Sequence, residues 1–198
     1  MRKEDFLQSI LFENELGDLK IIFDNTEYDI MFANERQAVE AGVDSIFDHF
    51  PEINTVIEIG FGLGYTANKF QSHLIEKHYI IEPHPQIAQR AREWRENQAN
   101  RDNIFIIEEF YQDWQREEED GSLIRADLVY YDTADWSNDN ALDFVQVEEE
   151  TKQVYFKWSN RLVAGYARQA CQITDYLQKL EFNLNDKIYY QPYKLISN

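Results

Sequence analysis

Apolar positions along the chain follow two periods, and their alternation sets the expected fold. Leu19 to Met31 reads as two short strands around a turn at Asp24-Asn25. Ala38, Val39, Gly42, Val43, Ile46 and Phe47 then share one face of a helix, which Pro51 ends. Thr55 to Ile59 is a β-branched strand running straight into Gly60. Beyond it, helix and strand patterns take turns. Tyr65 to Leu74 is helical and His78 to Glu82 is a strand. Pro85 opens a helix with Ile87, Ala88, Ala91 and Trp94 on one face, proline being well tolerated at a first helical position. Strands follow at Asn103–Ile107, Ala126–Tyr131 and Lys152–Lys157, then a helix at Arg161–Leu180 and a strand-like tail at Lys187–Ile196. This order predicts an α/β fold, a doubly wound, mostly parallel sheet with helices on both faces. An N-terminal hairpin-and-helix segment (1–50) packs on the core (51–198) within a single domain. In such sheets ligands sit beyond the carboxyl ends of the strands, near the switch point. Chemistry is therefore expected just after Ile59, Ile81, Ile107 and Tyr131.

Composition narrows the function. The 198 residues suit one domain. There are 19 basic and 37 acidic residues, a net charge of −18, which repels a phosphate backbone and argues against a nucleic-acid partner. The same charge draws in a cation, and it also serves solubility alone. A single cysteine, Cys171, allows no intrachain disulfide and no cysteine-based metal site, and fits a reducing, cytoplasmic setting. No apolar run follows Met1, so no signal peptide is expected. No run of about 18 uncharged apolar residues offers a membrane span. His49, His73, His78 and His84 form no metal-ligand spacing, so no metal is expected.

Three of the seven glycines fall within five positions, Gly60, Gly62 and Gly64, where a strand ends and a helix begins. Glycines there admit positive φ and close backbone approach, and the helix start offers free N–H groups to an anion. A dinucleotide fingerprint would place its third glycine at Tyr65, and it fails. Glu82 ends the next strand, where a carboxylate can accept both ribose hydroxyls of a nucleoside. Glu109 and Phe110 follow the third strand, with Phe110 placed to cover an adenine face or to serve the core.

The spacing Glu58-x-Gly60-x-Gly62-x-Gly64 resembles motif I of class I S-adenosylmethionine-dependent methyltransferases. Ile30-Met31 with Glu35 four residues on, Ile57 to Gly62, Ile80-Ile81-Glu82, Gln89-Arg90, Trp94 and Tyr131-Asp132-Thr133 are together similar to guanidinoacetate N-methyltransferase and its guanidino-methylating relatives. The resemblance runs from about Asp29 to Trp136. It implies a seven-stranded, Rossmann-like sheet with S-adenosylmethionine as cofactor and the N-terminal segment as a lid. It assigns cofactor contacts to Met31, Gly60, Phe61, Gly62, Leu63, Gly64, Tyr65, Glu82, Pro83, His84, Glu109 and Phe110. Glu35 and Asp132 match the two carboxylates that clamp the guanidinium, with Thr133 beside them. The family's Pro-Gly-Gly turn before the fifth strand is absent, which weakens the match after Trp136. Ser159 and Asn160 are candidates there for the rest of the substrate.

A guanidinium is planar with forked donors, so two carboxylates suit it. Protonated, it is a poor nucleophile; a carboxylate at its side can take the proton as the new C–N bond forms. Asp132 is assigned that role and Glu35 the second arm of the clamp, although Glu35 also suits a helix N-terminus. The expected activity is methylation of a guanidino group, on a guanidinoacetate-like small molecule, on arginine or on peptidyl arginine. The partner is a cationic guanidino substrate, and the protein a monomer or homodimer. A catalytically inactive, methyltransferase-like interaction module is the competing reading, and a nicotinamide-dependent oxidoreductase is disfavoured by the glycine spacing.

Overall fold

The computed structural model describes residues 2–114 and 123–131 in full, and the backbone of 159–165, 182–184 and 187–190. The chain opens with a short helix, α1 (Lys3–Leu7), and an antiparallel sheet of β1 (Ile10–Glu13), β2 (Leu19–Phe23) and β3 (Thr26–Met31). The β2–β3 turn is the expected one. Asp24 and Asn25 both take positive φ, 48° and 57°, as a two-residue hairpin turn requires. A 3₁₀ turn (Ala33–Glu35) leads into α2 (Arg36–His49), whose buried residues are those of the predicted face.

Next come β4 (Thr55–Ile59), α3 (Tyr65–Ser72), β5 (Lys77–Ile81), α4 (Pro85–Glu96), β6 (Ile104–Ile107) and β7 (Ala126–Tyr131). The backbone of β8 (Ser159–Gly165), β9 (Phe182–Leu184) and β10 (Lys187–Tyr190) completes a seven-stranded sheet in the order β6-β5-β4-β7-β8-β10-β9. Every described pair in it is parallel except β9 with β10. The expected strand at Lys152–Lys157 lies outside the described residues. A strand stands at Ser159–Gly165, so the first five residues of the expected helix Arg161–Leu180 are extended. The apolar residues Leu162, Val163 and Ala164 fit a strand beside β7, and tertiary pairing overrides the helical spacing.

Both faces of the central strands are covered, which is why they read as near-continuous apolar runs. Val56, Ile80, Leu128 and Tyr130 point into one core with α2 residues Val39, Val43 and Ile46 and with Phe70 of α3. Ile57, Ile59, Tyr79, Ile81, Val129 and Tyr131 point to the other face. Leu19 and Met31 join the first core, so the N-terminal sheet and the parallel sheet share one apolar interior. Burying a side chain such as Leu19 contributes about 1.5–3 kcal/mol.

Strand register aligns the carboxyl ends. Ile59 opposes both Ile81 and Tyr131, and Ile81 opposes Ile107. The chain order reverses between β4 and β7, so the switch point lies directly beyond Ile59.

Candidate functional site

Beyond Ile59 the backbone turns sharply. Gly60, Gly62 and Gly64 have φ of 93°, 55° and 74°, values that an L side chain rarely takes. The Gly60 N–H donates to the Ile81 carbonyl at 2.9 Å, and the Gly64 N–H to the Phe61 carbonyl at 2.8 Å. A Cβ on Gly64 would lie 2.7 Å from the Phe61 ring, so this glycine is also demanded by packing. Phe61 is buried against Trp94, with ring centroids 5.5 Å apart. Its side chain therefore belongs to the core, and only its backbone faces the loop.

Glu82 is buried at the end of β5. Its Oε2 accepts the Phe61 N–H at 3.1 Å and its Oε1 the His84 N–H at 2.9 Å. Burial pushes its carboxyl pKa up to about 7, against the pull of the N–H groups of His84, Phe61 and Gly62. One carboxylate thus ties the glycine loop to the segment Glu82-Pro83-His84, and each oxygen keeps lone-pair capacity for further donors. A carboxylate of this kind can accept further hydroxyl donors, and a helix start preceded by a positive-φ turn can receive an anionic group.

Met31 lies on the loop from the other side. The Leu63 N–H points at its sulfur, 3.3 Å away, and a Cβ on Gly62 would come within 3.0 Å of the same atom. Tyr65, the first residue of α3, is half-buried, and that burial raises its phenol pKa against the pull of the Arg36 guanidinium. Arg36 stands over the ring at 5.6 Å.

Glu35 is buried at the start of α2, and its Oε2 accepts the Phe32 N–H at 3.0 Å. It therefore closes the 3₁₀ turn that follows Met31, just ahead of the α2 N-terminus. Asp18 supports the same turn, accepting the Ala33 N–H at 2.9 Å. Asp132 and Thr133 follow Tyr131, the last residue of β7, and lie outside the described residues, as do Trp136 and Cys171. Ser159 and Asn160 occupy the first two positions of β8.

The far wall carries His84, Glu109 and Phe110, with Glu109 exposed and Phe110 partly so. Here α1 had no clear signal in the sequence, since it is short and carries one apolar pair, Phe6-Leu7. Phe6 is buried edge-on to His84 at 5.1 Å and tilted against Phe110 at 6.1 Å. Nε2 of His84 lies 3.2 Å from the Ser9 hydroxyl, and burial lowers the histidine's pKa. Lys3 stands over the Phe110 ring at 4.8 Å and pairs with Asp113 at 2.7 Å. The Leu11 N–H donates to Gln86 at 2.9 Å, and Glu13 pairs with Arg90 at 3.0 Å. Residues 2–13 are thus docked on the loops after β5 and β6 and on α4. No helix among the described residues is long and apolar enough to cross a membrane.

The sequence model of the guanidinoacetate N-methyltransferase family matches residues 52–186. The chain is 33% identical over 94 residues to protein arginine N-methyltransferase 2 of Kluyveromyces lactis, covering 46% of this chain and 22% of that protein. It is 28% identical over 137 residues to the protein of the same name in Saccharomyces cerevisiae, covering 68% and 33%. The chain thus spans a third or less of the length of these relatives. Among solved structures, the CcbJ methyltransferase from Streptomyces caelestis aligns with a TM-score of 0.39 at 14% identity, over 50% of this chain and 38% of that one. The quinate dehydrogenase of Corynebacterium glutamicum in complex with NAD aligns at 0.40 and 15%, over 74% and 47%. With the family model matching more than half of its length, the chain belongs to the guanidinoacetate N-methyltransferase family.

Proposed function

We propose that this chain is an S-adenosylmethionine-dependent methyltransferase acting on guanidino groups, either of a small guanidinoacetate-like molecule or of arginine, free or within a peptide. The observation that carries the reading is the junction at the switch point. There three positive-φ glycines and the buried carboxylate of Glu82 meet beyond the register-matched ends of β4 and β5. Family membership supports the methyl donor, and the relatives' names support a guanidino acceptor.

In this reading Glu82 accepts the ribose hydroxyls, the loop from Gly60 to Tyr65 with Met31 receives the methionine end, and Phe110 flanks the base. The bound donor supplies a methyl group on a sulfonium. The chain's part is to hold the acceptor in line, a positioning effect worth roughly 7–11 kcal/mol in favourable cases. Glu35 and Asp132 grip the guanidinium, and Asp132 takes the proton released as the nitrogen is alkylated. Residues 1–50 act as the lid, with Phe6 of α1 and Ser9 just after it closing the nucleoside wall.

The test is a titration followed by an assay. S-Adenosylhomocysteine should bind and NAD should not; the reverse would overturn the reading. Transfer of methyl to a panel of guanidino compounds should follow. Donor binding with no transfer to any of them would favour the interaction module.

A further inference from the structure

Beneath the glycine loop lies a buried polar group that the proposed chemistry leaves unused. Glu58 stands two residues before Gly60, and Thr66 two after Gly64. They are 0% and 1% exposed. The Thr66 hydroxyl donates to Oε1 of Glu58, so one side-chain bond joins the two ends of the loop. Oε2 of the same carboxylate lies 2.8 Å from Nε2 of His78, which is also fully buried. Register explains the meeting. Val56 opposes His78 and Glu58 opposes Ile80, so Glu58 and His78 sit diagonally on the helix-covered face. The Gln71 amide nitrogen lies 3.2 Å from Nδ1 on the other side of the same ring. Phe70 and Trp94 stand edge-on to the imidazole at 5.7 and 6.3 Å and close the group off.

Burying a carboxylate is costly, and an apolar residue of similar size commonly packs as well or better. The group's place at both ends of one loop gives it a use that apolar packing lacks. A side-chain bond across the loop's base can restrict the backbone between Phe61 and Tyr65. We propose that Glu58, Thr66 and His78 are positioning residues that brace the glycine loop for the methyl donor without touching it. The donor's part in this rests on the reading of the loop given above.

The experiment uses the full chain and two readouts, calorimetric titration with S-adenosylhomocysteine and amide hydrogen exchange of the free protein. Thr66→Val keeps the side chain's shape and removes the hydroxyl. Affinity should fall about tenfold, as for loss of a hydrogen bond to a charged group. Exchange should quicken at Phe61–Tyr65 while the amides of β4 and β5 stay as they were. Thr66→Ser should restore both. Unchanged affinity, or exchange raised equally along β4 and β5, would overturn the brace and leave a purely structural role. If the valine variant does not fold, Thr66→Ala carries the same measurements. Wild-type protein that binds no S-adenosylhomocysteine would sink the donor reading, and the exchange contrast would still decide the brace.

Discussion

On the donor side of the mouth, a run of nine residues from Glu58 to Thr66 carries the loop, and Glu82 reaches it from the neighbouring strand. On the acceptor side, the two proposed acids come from positions nearly a hundred residues apart, and Glu35 is already engaged by the Phe32 N–H. The donor side is local and its geometry is dictated by backbone: positive φ, strand register and amide bonds to one carboxylate. The proposed acceptor side would need a long-range meeting of side chains. Substitutions on the donor side should therefore change binding of the donor, and those on the acceptor side should change turnover.

The largest effect is expected at the acceptor. Asp132→Asn should lower turnover roughly a hundredfold or more, the usual contribution of a positioned base, while S-adenosylhomocysteine affinity is kept. Turnover equal to wild type would remove Asp132 from the chemistry. Next comes Gly60→Val. A β-branched residue at φ 93° costs about 1–3 kcal/mol, so donor affinity should fall by up to roughly a hundredfold. Calorimetry that shows no change would detach the loop from the donor.

Glu82→Gln should weaken donor binding about tenfold. Its ionisation gives the comparison a pH signature. The folded chain holds the Glu82 proton up to about 7, whereas an ordinary glutamate releases it near 4.5. Between these values the folded state binds the extra proton, so stability from this group falls as pH rises through the window, by about 3 kcal/mol in all. Ribose hydroxyls favour the anion, so donor binding near pH 7 should release a proton. Titration in buffers of different ionisation heat reads this directly, and proton uptake would contradict the assignment. Smallest is the stability effect of Glu35→Gln. Weakening its bond to the Phe32 N–H should cost about 1 kcal/mol in chemical denaturation, alongside a raised KM for the guanidino acceptor and unchanged donor affinity. A KM like that of wild type would leave Glu35 as a turn residue only.

The two sides also differed in how far they could be read from sequence. Glycine spacing, the β-branched strand before it and the acid ending the next strand are contiguous signals, and they placed the switch-point junction. The Asp24-Asn25 turn and the buried face of α2 were legible for the same reason. The start of the expected helix at Arg161 is a strand, because the short apolar run Leu162 to Ala164 fits either period and only its pairing with β7 decides. The Phe61 ring fills the space that Gly64 leaves open, so the cofactor contact expected of Phe61 falls to its backbone. The docking of Phe6 and Ser9 on His84, and the meeting of His78 with Glu58, join residues with no shared local pattern.

The central claim is that a donor seated on this loop gives its methyl to a guanidino nitrogen. The direct measurement is mass spectrometry of guanidino compounds and arginine-containing peptides incubated with wild-type protein and isotopically labelled S-adenosylmethionine. Label on a guanidino nitrogen is the predicted result. Label confined to amine or hydroxyl positions, or bound donor with no labelled acceptor at all, would contradict it.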